Sequence, residues 1–171
     1  MKNFLKNQNK ACPAKHLRSG GFMMVEILIA VSIMVVIVLA TMAVVQKGIS
    51  ISRQSLHNAQ ASFLLEEGGE SVRILRDNAW SNISNLSLST NYYPTFSGGT
   101  WTLTTTPNQV GSFTRTVQVF VVNRDATTGD IVSGGGVLDL GTKLITVNVS
   151  WSEAGQTVSK NLSFYISNIF L

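Results

Sequence analysis

Reactive side chains are scarce in this chain of 171 residues, which has one cysteine and two histidines. Cys12 lies within the first 21 residues, so the remainder offers no thiol nucleophile, no disulfide and no thiolate ligand for zinc. His57 is the one later histidine, and we expect it on a solvated helix face rather than at a metal. No glycine-rich phosphate loop precedes a helix. Because no set of titratable residues converges, we expect a protein that is not an enzyme and uses no cofactor.

Acidic residues are missing from the first 25 positions, and proline is missing from residues 14–93. The first 21 residues carry only basic charges, at Lys2, Lys6, Lys10, Lys15 and Arg18. The apolar run 22–45 follows, and as a helix it would be about 36 Å long, against a hydrocarbon core of about 30 Å. Basic residues that flank a membrane helix tend to stay in the cytoplasm. We therefore expect a single pass through the cytoplasmic membrane, with the N-terminus inside and the part of the chain after residue 45, which includes a head domain, outside.

One carboxylate interrupts the apolar run, at Glu26. An ionised side chain costs roughly 2.5–3.5 kcal/mol at the centre of a membrane helix, and somewhat less near its end. A passive anchor has no reason to carry that cost. We therefore expect a cationic partner for Glu26 that comes from outside its own helix.

Two simpler interpretations address the same N-terminal region. A secretory signal has an apolar stretch of about 7–15 residues and small residues after it. Here the run is longer, and Ser19-Gly20-Gly21 precedes it. An uncleaved signal anchor carrying a small β-rich binding domain fits the length and the charge, and it stays as the alternative. It explains neither Glu26 nor the paired glycines.

The segment Gly21-Phe22-Met23-Met24-Val25-Glu26 resembles the cleavage and methylation motif of type IV prepilins and of type II secretion pseudopilins. The resemblance implies that a prepilin peptidase cuts between Gly21 and Phe22, and that the new amino group of Phe22 is N-methylated. It also implies that Glu26 neutralises the N-terminal ammonium of a neighbouring subunit. The close match covers residues 15–45.

The resemblance implies a structural subunit of a type IV pilus, a type II secretion filament or a DNA-uptake filament. Its partners would be the peptidase, other pilin subunits, the inner-membrane assembly platform and membrane lipid, and its final location a cell-surface or periplasmic filament. Two departures stand out. Many pilins have a disulfide in the head, and many major pilins have a helix-breaking proline in the membrane segment. Residues 22–45 have neither proline nor glycine, which favours a minor pilin or a pseudopilin.

The resemblance implies a cleaved leader (1–21) and a filament-core role for the helix 22–45. The composition predicts that this helix is transmembrane and that an amphipathic continuation (46–79) and a globular β head (80–171) follow it. The predicted fold is α+β, with one helix over about residues 23–78 packed on a four-stranded, largely antiparallel sheet, the lollipop of the pilin family. An apolar stripe at helical spacing supports the continuation, at Ala61, Leu64, Gly68, Val72, Leu75 and Ala79. Period-two alternation predicts the strands, over residues 101–106, 113–122, 144–151 and 158–166. Loops are predicted over 94–99 and 123–136.

The two central helix glycines, Gly68 and Gly69, cost about 1 kcal/mol each relative to alanine. They predict either a kink or the close approach of a strand over Gly68, and we favour the close approach.

The head itself carries little chemistry. After residue 21 the chain has eight basic residues against nine acidic ones, so we expect no nucleic acid to bind the head. Asp125, Asp130 and Asp139 near glycine-rich loops are weak calcium candidates, and an ordinary hairpin loop is the favoured interpretation. Aromatic residues could form an adhesive surface, although core packing is the commoner role, at Tyr92, Tyr93, Trp101 and Trp151.

Overall fold

The computed structural model describes residues 20–170, with side chains from residue 22 onward. It divides into two compact units, the first ending at Ile49 and the second beginning at Ser50. One helix, α1, runs Gly20–Asn78 and contributes to both units. The helix predicted over residues 23–78 is therefore confirmed.

The first unit is the N-terminal part of α1. Every side chain of residues 22–45 is exposed, and this part of the helix is long and apolar enough to cross a membrane. No proline or glycine interrupts residues 22–45. A helix lets such a segment satisfy its backbone hydrogen bonds without water, which is what a bilayer interior requires.

In the second unit, a stripe of small and apolar residues on α1 packs against a sheet. Ala61, Val72 and Leu75 are buried as predicted. Leu64 is only half-buried, because its neighbour Leu65 occupies the core position. A short helix α2, Ser81–Ser84, then buries Ile83 in the predicted connection.

The strands form two separate antiparallel sheets. The larger has the order β4-β3-β5-β6, and the smaller pairs β1 with β2. The bounds are β1 Tyr93–Ser97, β2 Thr100–Thr104, β3 Phe113–Arg124, β4 Ile131–Val132, β5 Val137–Glu153 and β6 Gln156–Ser167. This α+β arrangement of a long helix on antiparallel strands agrees with the predicted fold class.

The predicted membership of the larger sheet is wrong in two places. The alternation predicts residues 101–106 as one of its strands, but β2 pairs with β1, which lies mostly in the predicted loop 94–99. The reason is the turn at Gly98-Gly99, whose φ angles of 60° and 80° suit a two-residue hairpin that returns the chain onto the preceding strand. The fourth strand is instead β4, two residues within the predicted loop 123–136, too short to show alternation.

A β-bulge interrupts the period-two alternation of the predicted strand 113–122. Strict alternation would place Val121 on the same face as Val117 and Val119, but Val121 is 43% exposed, whereas Val122 is buried. The register shifts between them, since Val121 pairs with Lys143 while Val122 pairs with Asp139. The extra residues of β5 bend the ladder and turn Val121 outward.

One hydrophobic core joins α1 to the larger sheet. The alternation predicted for β5 is confirmed, because all four inward residues are buried, Ile145, Val147, Val149 and Trp151. The close approach predicted at Gly68 is also confirmed. An added Cβ there would lie 2.7 Å from Cγ1 of Val147 and 3.1 Å from Cδ of Arg115.

Candidate functional site

The most unusual side chain of the first unit is Glu26, on an exposed apolar face of α1. The same face carries only apolar neighbours, which are Phe22, Val25, Ile29, Ala30 and Ile33. The spacing of these residues follows the helical period, so they form one continuous strip. Within residues 20–170, Glu26 makes neither an ion pair nor a side-chain hydrogen bond.

The other polar side chains of residues 22–45 are satisfied by the helix itself. The hydroxyl of Ser32 donates to the carbonyl of Ile29 at 2.8 Å. The hydroxyl of Thr41 lies 3.0 Å from the carbonyl of Ile37 and 2.9 Å from that of Val38. A hydroxyl can share the backbone acceptors of the preceding turn, whereas an ionised carboxylate needs donors. Glu26 is therefore the polar side chain of residues 22–45 that has no hydrogen-bond partner within its own helix.

The predicted cleavage site lies at the beginning of α1. Gly20 and Gly21 form its first two residues, and Phe22 follows with an exposed side chain. Residues 1–19 of the predicted leader lie outside the part of the chain that the structure describes. Phe22 and Glu26 are four residues apart, which places them on neighbouring turns of the same helix face.

Two of the three calcium candidates in the head, Asp125 and Asp139, make local hydrogen bonds. Asp125 accepts hydrogen bonds from the amides of Thr127 and Thr128 at 2.7 and 2.9 Å, which is an Asx turn. The Thr128 bond, followed by that of Thr127, lowers the pKa of Asp125. Among the described residues, no three metal-ligating side chains come together, and Asp130 joins no such group.

Asp139 is the anion of a local ion pair. Its Oδ2 atom lies 2.6 Å from Nε of Arg124, and its Oδ1 atom accepts the amide of Gly141 at 2.8 Å. The Arg124 hydrogen bond, with a smaller contribution from Thr142, lowers the pKa of Asp139. Arg124 also donates to the carbonyl of Gly129 at 2.9 Å, so this pair holds the 125–130 loop against β5.

Arg115 is a buried cation that the sequence analysis did not single out. It is 3% exposed on the inner face of β3, where its guanidinium lies 2.8 Å from Oε2 of Glu67. The same group lies 5.5 Å from the ring centre of Trp101, so it joins α1, β3 and β2. Its inward position was available in the sequence, because Arg115 lies two residues from each of the inward residues Phe113 and Val117 and so shares their face of β3.

The prediction that His57 lies on a solvated helix face is wrong, because its side chain is half-buried against the sheet. Its ring lies edge-on to Phe113 at 6.0 Å, and Nδ1 lies 4.0 Å from Oε1 of Glu153. Glu153 also accepts a hydrogen bond from the indole of Trp151 at 3.1 Å.

The aromatic residues considered for an adhesive surface lie mostly in the core. Tyr92 and Trp151 are buried and Trp101 is half-buried, so their role in the described head is mainly packing.

Residues 20–170 therefore offer a carboxylate with no ionic partner among them, on an apolar helix face, and a head with several internal ion pairs. Comparison of the chain with models of protein families, with curated proteins and with solved structures finds no match.

Proposed function

We propose that this chain is the precursor of a non-enzymatic filament subunit of the type IV pilin or pseudopilin kind. A prepilin peptidase removes residues 1–21, Phe22 is N-methylated, and the processed chain assembles through helix residues 22–45. The observation that carries the proposal is Glu26, a carboxylate without an ionic partner in the described chain, on an otherwise apolar helix face.

A partner for Glu26 must be cationic and must reach membrane depth. The basic residues that follow the segment begin at Lys47, about 30 Å further along the helix. Cleavage after Gly21 instead creates an ammonium at Phe22, only about 6 Å along the helix from Glu26, so a neighbouring copy shifted by about that distance could bring the two groups together. Supplied by an adjacent copy, that group lets both charges leave water as a pair, whose attraction offsets much of their desolvation.

The same pair would set the axial position of each subunit. If a copy slid along its neighbour by one helical turn, about 5.4 Å, both charges would lose their partners in an apolar environment. Breaking a buried ion pair costs about 3–5 kcal/mol. A register error would therefore be costly even though the surrounding apolar contacts are unspecific.

The proposed topology follows from the charges that flank the helix. The five basic residues before position 22 hold the leader in the cytoplasm, and the head lies across the cytoplasmic membrane. Assembly would draw the helix out of the bilayer into a surface or periplasmic filament, where other copies replace the lipid. A minor pilin or a pseudopilin is the role we favour.

Glu26→Val tests the proposal in the cells that produce the protein. We expect the leader to be removed as in the wild type, but incorporation into filaments to fall by about tenfold or more, because the variant cannot bind the ammonium. Ser32→Val is the matched control, since it removes a polar group whose hydrogen bond stays within the helix. If Glu26→Val chains assembled as well as Ser32→Val chains, the charge pair would be excluded as the assembly determinant.

A further inference from the structure

A second apolar surface lies in the second unit, on the flank of α1 that is not packed on the sheet. Phe63 is 70% exposed, and Leu56, one heptad before it, is exposed as well. A spacing of seven residues places the two side chains on nearly the same helix face. The core positions Ala61 and Leu65 point elsewhere, because they are buried against the sheet.

Phe63 forms one wall of a groove of about 420 Å³ between α1 and the segment before β3. The opposite wall is made by Val110 and Gly111, and Phe113 lies at the groove as well. No charged residue lines it; the full lining is Gln60, Phe63, Leu64, Val110, Gly111, Ser112 and Phe113. The amide of Val110 donates to the carbonyl of Phe113 at 2.9 Å, and the reverse bond measures 3.1 Å, so the second wall is held in place.

We infer that this groove receives the apolar helix, residues 22–45, of a second copy of the chain. The inference rests on the proposed function, in which that helix leaves the lipid. The helix is the complementary surface that the chain itself supplies, since all its side chains are exposed and only Glu26 among them is charged. Residues 27–45 of the helix carry no charge, and neither do the residues that line the groove. Contact between them would therefore bury no charge without a partner.

The two surfaces are different parts of the same chain, one a convex helix and the other a concave groove. Contact between unlike surfaces is heterologous, so each added copy leaves one free groove and one free helix at the ends. Such association closes only if the rotation between copies returns to the start, and otherwise it continues as an open filament. The groove therefore gives the proposed polymer a contact outside the charge pair.

A photo-crosslinking amino acid at position 63 tests this contact in filaments made by the producing cells. Benzoylphenylalanine replaces Phe63 with a similar aromatic shape, and the same replacement at Tyr165 is the control. Tyr165 is 53% exposed and lies on the outer face of the larger sheet, beside Leu144. After irradiation we expect a crosslinked dimer from position 63, with the crosslink mapped by mass spectrometry to residues 22–45 of the other copy.

A crosslink from position 63 to lipid, to a different protein or to another part of the chain would overturn the inference. The absence of any crosslink in intact filaments would do the same. These outcomes leave the proposed function standing, because filaments of processed subunits would still be present. A chain that is cleaved but forms no filaments would overturn both.

A paired substitution measures how much the contact matters. Phe63→Ser should lower filament yield by about tenfold, the loss expected when one exposed aromatic side chain no longer becomes buried. Tyr165→Ser should leave the yield within about twofold, and Phe63→Leu should retain most of it. Equal yields for Phe63→Ser and Tyr165→Ser would overturn the inference. The thermal midpoint of each detergent-solubilised full chain checks that the head remains folded.

Discussion

A Cβ added to Gly68 of α1 would lie 2.7 Å from Cγ1 of Val147 on β5. Real Cβ contacts are essentially never that short, and Val147 is fully buried, so it has little room to move. Gly68 therefore sets how closely the helix packs on the sheet.

Gly68→Ala should destabilise the head by about 1–2 kcal/mol, because overpacking outweighs the gain in helix propensity. Gly69→Ala is the matched control. An added Cβ at Gly69 would meet its nearest atom, Cε1 of Phe164, at an ordinary 3.6 Å. That variant should be neutral or more stable by up to about 1 kcal/mol. Urea unfolding of the detergent-solubilised chain, followed by tryptophan fluorescence, distinguishes the two. Equal effects would show that close packing at Gly68 is not what the glycine provides.

The buried Arg115 depends on Glu67 for its charge partner. Glu67→Gln should lower the free energy of unfolding by about 1–3 kcal/mol, since it leaves a buried guanidinium without its anion. Adding Arg115→Met to that variant should restore part of the loss, because the orphaned charge is then gone. Urea unfolding of the single and double variants gives the coupling. A double variant that is less stable than Glu67→Gln would contradict this view of the pair.

Because of the Arg124–Asp139 pair, we expect the free energy of unfolding of the head to vary with pH in the acid range. The pKa of Asp139 is lowered in the folded chain, chiefly by Arg124, below the usual value of about 3.9. The stabilisation is then fully present above about pH 5 and is lost as the pH falls through the lowered pKa. We expect the difference in unfolding free energy between the wild type and Asp139→Asn to be constant from pH 8 to about pH 5 and to shrink below about pH 4.

Arg124→Gln provides the check on the cause. It removes the cation but keeps the carboxylate, so it should abolish most of the same acid-dependent difference. If Arg124→Gln kept the full pH dependence of the wild type, another group would have to be responsible.

The helix and the longest strands were predictable because their patterns are local and long. The apolar run and its continuation give dozens of residues of consistent helical signal, and β5 alternates without error from Ile145 to Trp151. Glu26 stood out for the same reason, since a single charge contrasts with its uniform surroundings.

The strand pairing and the partners of the buried cation were not predictable in the same way. The alternation in β2 marks a strand but does not say which strand it joins; the turn at Gly98-Gly99 decides that. Arg115 is buried because Glu67 and Trp101, distant in sequence, meet around it. Such contacts depend on the three-dimensional arrangement, which periodicity within one segment does not specify.

The N-terminus of the chain extracted from its native membrane is the measurement on which the proposed function depends. Intact-mass and N-terminal peptide analysis should give a chain that begins at Phe22 and carries one methyl group on its amine. Gly21→Val should accumulate as uncleaved precursor, while Gly20→Ala should be processed normally. A native chain that still contains residues 1–21 would contradict the proposal, because no ammonium would then exist at Phe22, and it would favour the uncleaved membrane anchor.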